Sequence, residues 1–108
     1  MYRWSLQSGI AQNNRSGVRA SMIVYPNPTR GQTLIIYQLR AAALVRIAIY
    51  NIQGSLVKTI IHENQATGSH QAVWFGCDEY SKDVSAGVYF LECIIGNAKS
   101  TTKLLVIR

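Results

Sequence analysis

The sequence contains few of the residues that disulfide frameworks, metal sites and catalytic centres require. Its 108 residues include two cysteines, two histidines and five acidic residues. Two cysteines permit at most one intramolecular disulfide, which does not fix the redox compartment. The spacings typical of zinc sites, nucleophile elbows and phosphate-binding loops are also missing. The sequence therefore predicts a protein that is not an enzyme, with no catalytic residues, no cofactor and no metal site.

Two small groups of polar residues leave metal binding open as an alternative. They are His62 with Glu63 and His70, and Asp78 with Glu79 and Asp83. Histidines and carboxylates can hold zinc, and loop carboxylates can hold calcium. Neither group has the spacing of a known metal motif, so solvated loops are the favoured interpretation.

Long apolar runs are also missing. No stretch reaches the roughly 18 apolar residues that a membrane helix needs, and residues 1–20 lack the apolar centre of a signal peptide. We therefore expect no membrane insertion. If the protein is exported, a leader has been removed or the chain is part of a longer one.

The basic charge is spread along the chain. Net charge is +6, and residues 1–20 contribute three arginines and no acid, which leaves 8 basic and 5 acidic residues in the remainder. Nucleic-acid-binding surfaces normally cluster their cations. The dispersed charge therefore predicts no nucleic-acid partner.

From residue 21 onward the sequence consists of short β-rich runs separated by turn residues. Val45, Ile47 and Ile49 alternate with Arg46 and Ala48, and a period of two is typical of a half-buried strand. Six other runs are predicted as strands: residues 21–25, 33–39, 55–61, 71–75, 88–95 and 100–107. Their links are too short for helical crossovers, which favours antiparallel pairing. The sequence predicts an all-β, immunoglobulin-like or fibronectin III-like sandwich of about seven strands over residues 21–108.

Several side chains are predicted to lie in the core. On the run from residue 88, Glu92 requires solvent, so Tyr89, Leu91, Cys93 and Ile95 should point inward. Cys93 is then a buried thiol, with a disulfide to Cys77 as the less favoured alternative. Trp74 is expected to fill the core and to find a partner for its indole N–H. Residues 64–69 and 76–86 are expected to be loops.

The first twenty residues have neither helical nor strand periodicity. Their composition favours a linker or flexible leader. The alternative is an interaction segment that pairs with the open sheet edge of another chain.

Four groups of motif residues follow one another in a fixed order. They are Tyr25-Pro26-Asn27-Pro28 with Gly31; Val45 to Asn51 with Gly54 and Val57 to Ile60; Gly68, His70, Trp74, Gly76 and Asp78; and Val84 to Phe90 with Thr102 to Arg108. Taken together, they resemble the C-terminal sorting domains of the type IX (Por) secretion system, and are similar to the Ig-like domain of flagellar hook-capping proteins. The resemblance covers about residues 22–108. Trp74-Phe75-Gly76 replaces the family's W-D-G.

The resemblance implies a non-catalytic module that directs export to the cell surface or the medium. It implies a secretion translocon or shuttle protein as partner. The residues expected to form the sorting surface are Pro26, Asn27, Pro28, Gly87, Lys103, Leu104, Leu105, Val106, Ile107 and Arg108. From the residues themselves, the two prolines interrupt sheet pairing, and Asn27 is expected to bond to nearby backbone.

Two other functions remain open. The chain could be the subunit of an extracellular filament or sheath, assembled with copies of itself through residues 1–20. It could also be an accessory binding domain of an enzyme that uses exposed aromatic side chains such as Tyr2, Trp4 and Tyr80.

Overall fold

A computed structural model describes residues 21–108, so the predicted linker or interaction segment of residues 1–20 lies outside the described residues. Seven strands form two antiparallel sheets. In chain order they are β1 (Met22–Tyr25), β2 (Thr33–Leu39), β3 (Ala43–Tyr50), β4 (Leu56–Gln65), β5 (Gly68–Trp74), β6 (Gly87–Ile95) and β7 (Ala98–Val106).

The strands divide between a three-stranded and a four-stranded sheet. The first has the order β1-β2-β5 and the second the order β4-β3-β6-β7. The all-β sandwich predicted from the alternating pattern is therefore confirmed. No helix within residues 21–108 is long and apolar enough to cross a membrane.

The core lies between the sheets and is filled by alternate residues of each strand. In β2 the inward side chains are those of Ile35, Tyr37 and Leu39, all of which are buried. In β3 they are Val45, Ile47 and Ile49, each with no exposed surface. Burial of apolar surface is the main stabilising contribution in such a fold, at about 25 cal/mol per Å². The inward faces expected from the period-two pattern are thus confirmed.

Ala48 departs from that pattern because it is buried on the outward face of β3. Its neighbours on that face, two residues away on either side, are Arg46 and Tyr50. The Arg46 guanidinium donates to the Tyr50 hydroxyl at 2.9 Å. This contact spans the position between them, so long side chains cover the small alanine.

Strand β6 places Tyr89, Leu91 and Cys93 in the core, and Ile95 packs against it. Trp74 is also buried, and its indole N–H donates to the Cys77 carbonyl at 2.8 Å. Both cysteines are free thiols. The predicted inward set and the predicted indole partner are confirmed.

The loop predicted at residues 64–69 is wrong. Strand β4 continues through Asn64 and Gln65, which pair with Leu44 and Ala43 of β3. The extension could not be read from the sequence because β4 is an edge strand, and its polar residues 62–64 are exposed as they would be in a loop. The turn to β5 shrinks to residues 66–67.

Burial raises the pKa of the Cys93 thiol to about 11 from an ordinary value of 9.0. The thiolate is the reactive form. We therefore expect Cys93 in the folded protein to resist iodoacetamide at pH 8, and to react once denaturant exposes it. Peptide mass spectrometry of the alkylated chain provides the measurement.

The raised pKa of Cys93 also predicts that the stability of the domain depends on pH. Since the folded-state pKa is the higher one, the contribution of Cys93 to stability is complete below pH 9 and declines as pH rises towards 11. A Cys93→Ala variant should lose less stability over that interval than the wild type. Equal losses of stability in the variant and the wild type, or rapid alkylation of Cys93 in the folded protein, would contradict the burial of this thiol.

Candidate recognition surface

The loop that follows β1 lies against the last strand of the chain. This opening loop comprises residues 26–31, and the peptide bonds before Pro26 and Pro28 are both cis. Between the prolines, the Asn27 side chain donates to the Lys103 carbonyl at 2.8 Å. The same side chain accepts from the Leu105 amide at 3.0 Å. Asn27 therefore bonds to backbone, as predicted, but the backbone is that of β7 and not that of its sequence neighbours.

Thr29 continues this contact with its backbone. Its amide donates to the Leu105 carbonyl at 2.9 Å, and its carbonyl accepts from the Ile107 amide at 2.8 Å. These bonds form a parallel bridge between Thr29 and Val106. Asn27 and Thr29 together satisfy the outward backbone groups at the end of β7, which would otherwise be an open sheet edge.

The Arg108 side chain joins two loops to the end of the chain through three hydrogen bonds. Its Nε donates to the Val84 carbonyl at 3.0 Å, its Nη1 to the Arg30 carbonyl at 3.2 Å and its Nη2 to the Gly76 carbonyl at 2.9 Å. A planar guanidinium can hold several acceptors in fixed directions, which a lysine ammonium cannot do in the same way. Arg108 therefore holds the opening loop and the loop after β5 against the end of the chain.

A close approach of two glycines allows this arrangement. A Cβ on Gly76 would lie 2.7 Å from the Gly31 Cα, and Gly76 has a φ of +77°. Both the contact and the left-handed backbone require glycine. A Cβ on Gly31 would lie 3.3 Å from the Arg108 Nη1.

The closing strand presents two different faces. Leu104 and Val106 are buried in the core, whereas Lys103, Leu105 and Ile107 are exposed on the outer face of the four-stranded sheet. Only the second group can contact a partner of the folded domain. The structure thus separates residues that the sequence predicted as one continuous segment.

Gly87 begins β6 and pairs with Val106 of β7. Its φ is +153°, and a Cβ built there would meet nothing within 4 Å. Its predicted place at the start of a core strand agrees with the structure.

From residue 21 onward, three cations near the opening loop and the end of the chain form no ion pair. The ion pairs among the described residues are Arg46–Glu92, Lys58–Glu79 and Lys99–Glu92. Arg30, Lys103 and Arg108 take part in none of them. Arg108 bonds only to neutral carbonyls, so its charge also remains uncompensated.

The two groups proposed as alternative metal sites do not assemble. Within residues 21–108, no cluster of three or more histidine, cysteine or acidic side chains could hold a metal ion. His62 and His70 lie on strands of different sheets. The Asp78 carboxylate accepts from the amides of Lys82 and Tyr80, and these bonds hold its pKa below the ordinary value.

Two features of the surface were missed by the sequence analysis. Thr29 has no signal in the local pattern, because its role depends on pairing with a strand almost eighty residues away. The Gly31–Gly76 contact had a signal, since both glycines belong to the ordered motifs, but spacing alone does not show that they touch.

Comparison with known families decides the classification. Residues 23–108 match the family described as the secretion system C-terminal sorting domain. The chain belongs to this family of type IX secretion sorting domains. Membership places the protein among those exported to the cell surface or secreted, and indicates interaction with the secretion machinery. The family is one of sorting domains and not of enzymes.

A solved structure shows the same fold. The sorting domain is similar to part of the crystal structure of dimeric latent PorU from Porphyromonas gingivalis, with a TM-score of 0.65 and 19% identity. The similarity covers 82% of this chain and 9% of that chain. No curated protein matches the sequence.

Replacing Gly76 tests the close approach of the two loops. We expect Gly76→Ala to lower the free energy of unfolding by about 2–4 kcal/mol, because it combines left-handed strain with a clash against Gly31. Gly54→Ala is the matched control, since Gly54 has a φ of +82° and no atom within 4 Å of the added Cβ. It should cost only about 1 kcal/mol. Equal losses in urea denaturation would show that the loops are not in contact.

Replacing Arg108 tests its contact with the two loops. Arg108→Ala removes three hydrogen bonds in a partly exposed position, so we expect a loss of about 1–2 kcal/mol in unfolding free energy. Arg108→Lys should recover only part of it. Arg40→Ala, which alters an exposed cation in the β2–β3 turn, should be within about 0.5 kcal/mol of wild type. An unchanged free energy of unfolding in Arg108→Ala would contradict this contact.

Proposed function

We propose that this chain is a non-catalytic sorting and anchoring module that directs its protein through the type IX secretion system to the cell surface. The observation that supports this most directly is the family match over residues 23–108. The expected partner is a translocon component or a shuttle protein. The folded surface formed by the opening loop and β7 is the region that such a partner would contact.

The residues predicted for sorting take two roles in this proposal. One group holds the surface together: Asn27 through its bonds to β7, Gly87 through its place opposite Val106, and Leu104 and Val106 through burial. The other group is exposed to the partner. It consists of Pro26, Pro28, Lys103, Leu105, Ile107 and Arg108.

Assembly into an extracellular filament is the second candidate function. Strand β1 is an edge strand of the three-stranded sheet and follows directly after residues 1–20. A strand donated by another copy could extend the sheet at that edge. Concentration-dependent assembly of the 108-residue chain, followed by sedimentation, would support this function, whereas a monomer at all concentrations would remove it.

Export of a reporter tests the sorting function. The full chain fused behind a periplasm-directed reporter, in a bacterium with a type IX system, should carry the reporter to the surface or medium. The same reporter without the chain should remain in the periplasm. Retention of the fused reporter, with the domain shown to be folded, would overturn the proposal.

The two faces of the closing strand give a second test. Leu104→Ala should lower unfolding free energy by about 2–5 kcal/mol because it leaves a cavity in the core. Leu105→Ser should cost less than about 1 kcal/mol, since Leu105 is 38% exposed. We nevertheless expect Leu105→Ser to reduce export of the folded reporter fusion. Undiminished export would exclude Leu105 from the recognition surface.

A further inference from the structure

The outer face of the four-stranded sheet carries an apolar surface next to the opening loop. In the strand register, Tyr50 pairs with Phe90, Phe90 with Lys103, and Val88 with Leu105. Side chains of directly paired residues lie on the same face of a sheet. We call this surface the docking face, and define it by Tyr50, Val88, Phe90, Lys103, Leu105 and Ile107.

Much of the docking face remains accessible in the described part of the chain. Leu105 and Ile107 are each 38% exposed, and Tyr50, Val88 and Phe90 are half-buried. Contiguous apolar surface of this kind is typical of a protein contact site.

Among residues 21–108, the cations around Glu92 on this sheet face form ion pairs, whereas Lys103 at the docking face does not. Glu92 forms ion pairs with both Arg46 and Lys99, at 3.5 and 3.3 Å. Lys103, at the docking face, has no such partner among the described residues. The opening loop contributes Arg30 near the end of the chain, where its carbonyl accepts from Arg108, and the Arg108 guanidinium bonds only to carbonyl groups.

The spacing along β7 defines the shape of a matching ligand. Lys103 and Leu105 lie on one face of β7 at the two-residue repeat of a strand, about 6.6–6.8 Å apart. Ile107 follows one residue after the end of the strand, where its amide bonds to Thr29. An extended polypeptide places its own alternate side chains at this same repeat. A partner with carboxylates and apolar side chains along one extended segment would therefore match both the charge and the spacing.

We propose that the docking face binds an extended acidic segment of an export-machinery protein, in which apolar residues contact Leu105 and Ile107 and a carboxylate pairs with Lys103. This inference rests on the proposed sorting function and names the chemistry of its partner. Opposite charges at the margin of an apolar contact provide specificity and speed association.

The positive charge beside the docking face disfavours binding of residues 1–20 or of a second copy of the chain. Residues 1–20 contain three arginines and no acid, so they do not complement a basic surface. A second copy placed symmetrically on the docking face would bring Lys103 and its neighbouring cations towards their own equivalents. Like charges brought together across an interface oppose association.

Charge reversal in the full-length reporter fusion tests this inference. We expect Lys103→Glu, and more strongly the double variant with Arg30→Glu, to slow surface delivery about tenfold, which corresponds to one lost charge contact of about 1.4 kcal/mol. Lys103→Arg should retain delivery. Arg40→Glu is the matched control and should leave delivery unchanged, because Arg40 is exposed in the β2–β3 turn, which precedes the end of β3 opposite to Tyr50, the residue level with Lys103. Circular dichroism melting should show that all variants remain folded.

A photo-crosslinking amino acid at Leu105 distinguishes a protein partner from an anionic lipid. We expect a charge-sensitive crosslink to an export-machinery protein, at a peptide rich in Asp or Glu, which is lost in Lys103→Glu. A crosslink to lipid alone, or to another copy of this chain, would overturn the inference.

The outcomes also separate this inference from the sorting function. If the wild-type fusion is not delivered, the sorting proposal fails and the inference fails with it. If the wild type, Lys103→Glu and Arg40→Glu are all delivered equally, only the acidic-partner inference fails.

Discussion

The alternation of side chains along the closing strand is the constraint on which the recognition surface depends. Leu104 and Val106 point into the core and fix the position of β7, so Lys103, Leu105 and Ile107 must point outward. A strand has no freedom to offer one outward residue without placing its neighbours inward. Under the proposed sorting function, stability and recognition therefore occupy the same short segment but use different residues of it.

The opening loop makes this arrangement possible by completing the edge of the strand. The outward backbone groups of Lys103, Leu105 and Ile107 meet Asn27 and Thr29 instead of remaining open to another chain. The end of the sheet is thus protected from unspecific pairing, a hazard that edge strands carry. The recognition that we propose uses side chains on the outer face, and it requires a folded domain because the loop and the strand are far apart in sequence.

The fold could be predicted from sequence because period-two burial is a local signal. Val45, Ile47 and Ile49 showed it clearly, and their strand lies in the centre of the larger sheet. The end of β4 could not be predicted in the same way, because Asn64 and Gln65 are polar residues on an edge strand, where such residues are tolerated, and the bond from the Tyr37 hydroxyl to the Gln65 side chain has no local signal. Local composition there is similar to that of a loop.

The candidate site was predicted only in outline. The ordered motifs indicated that the opening loop and the closing strand belong to the site, but not that Asn27 bonds to β7 or that Arg108 joins two loops. Those contacts link residues that are 76 and 78 positions apart in the case of Asn27. A single sequence contains no local signal for such pairs. The sequence also did not show that Leu104 and Val106 are buried while their neighbours in the same segment are exposed.

Amide hydrogen exchange of Leu105 and Ile107 tests most directly whether the opening loop and closing strand form one unit. Their amides point away from β6 and bond only to Asn27 and Thr29. The account predicts strong protection of both amides in the native domain, and slower exchange than at Thr101, which faces the same way on the part of the edge that these two residues do not cover. Exchange at Leu105 and Ile107 as fast as at Thr101 would contradict it.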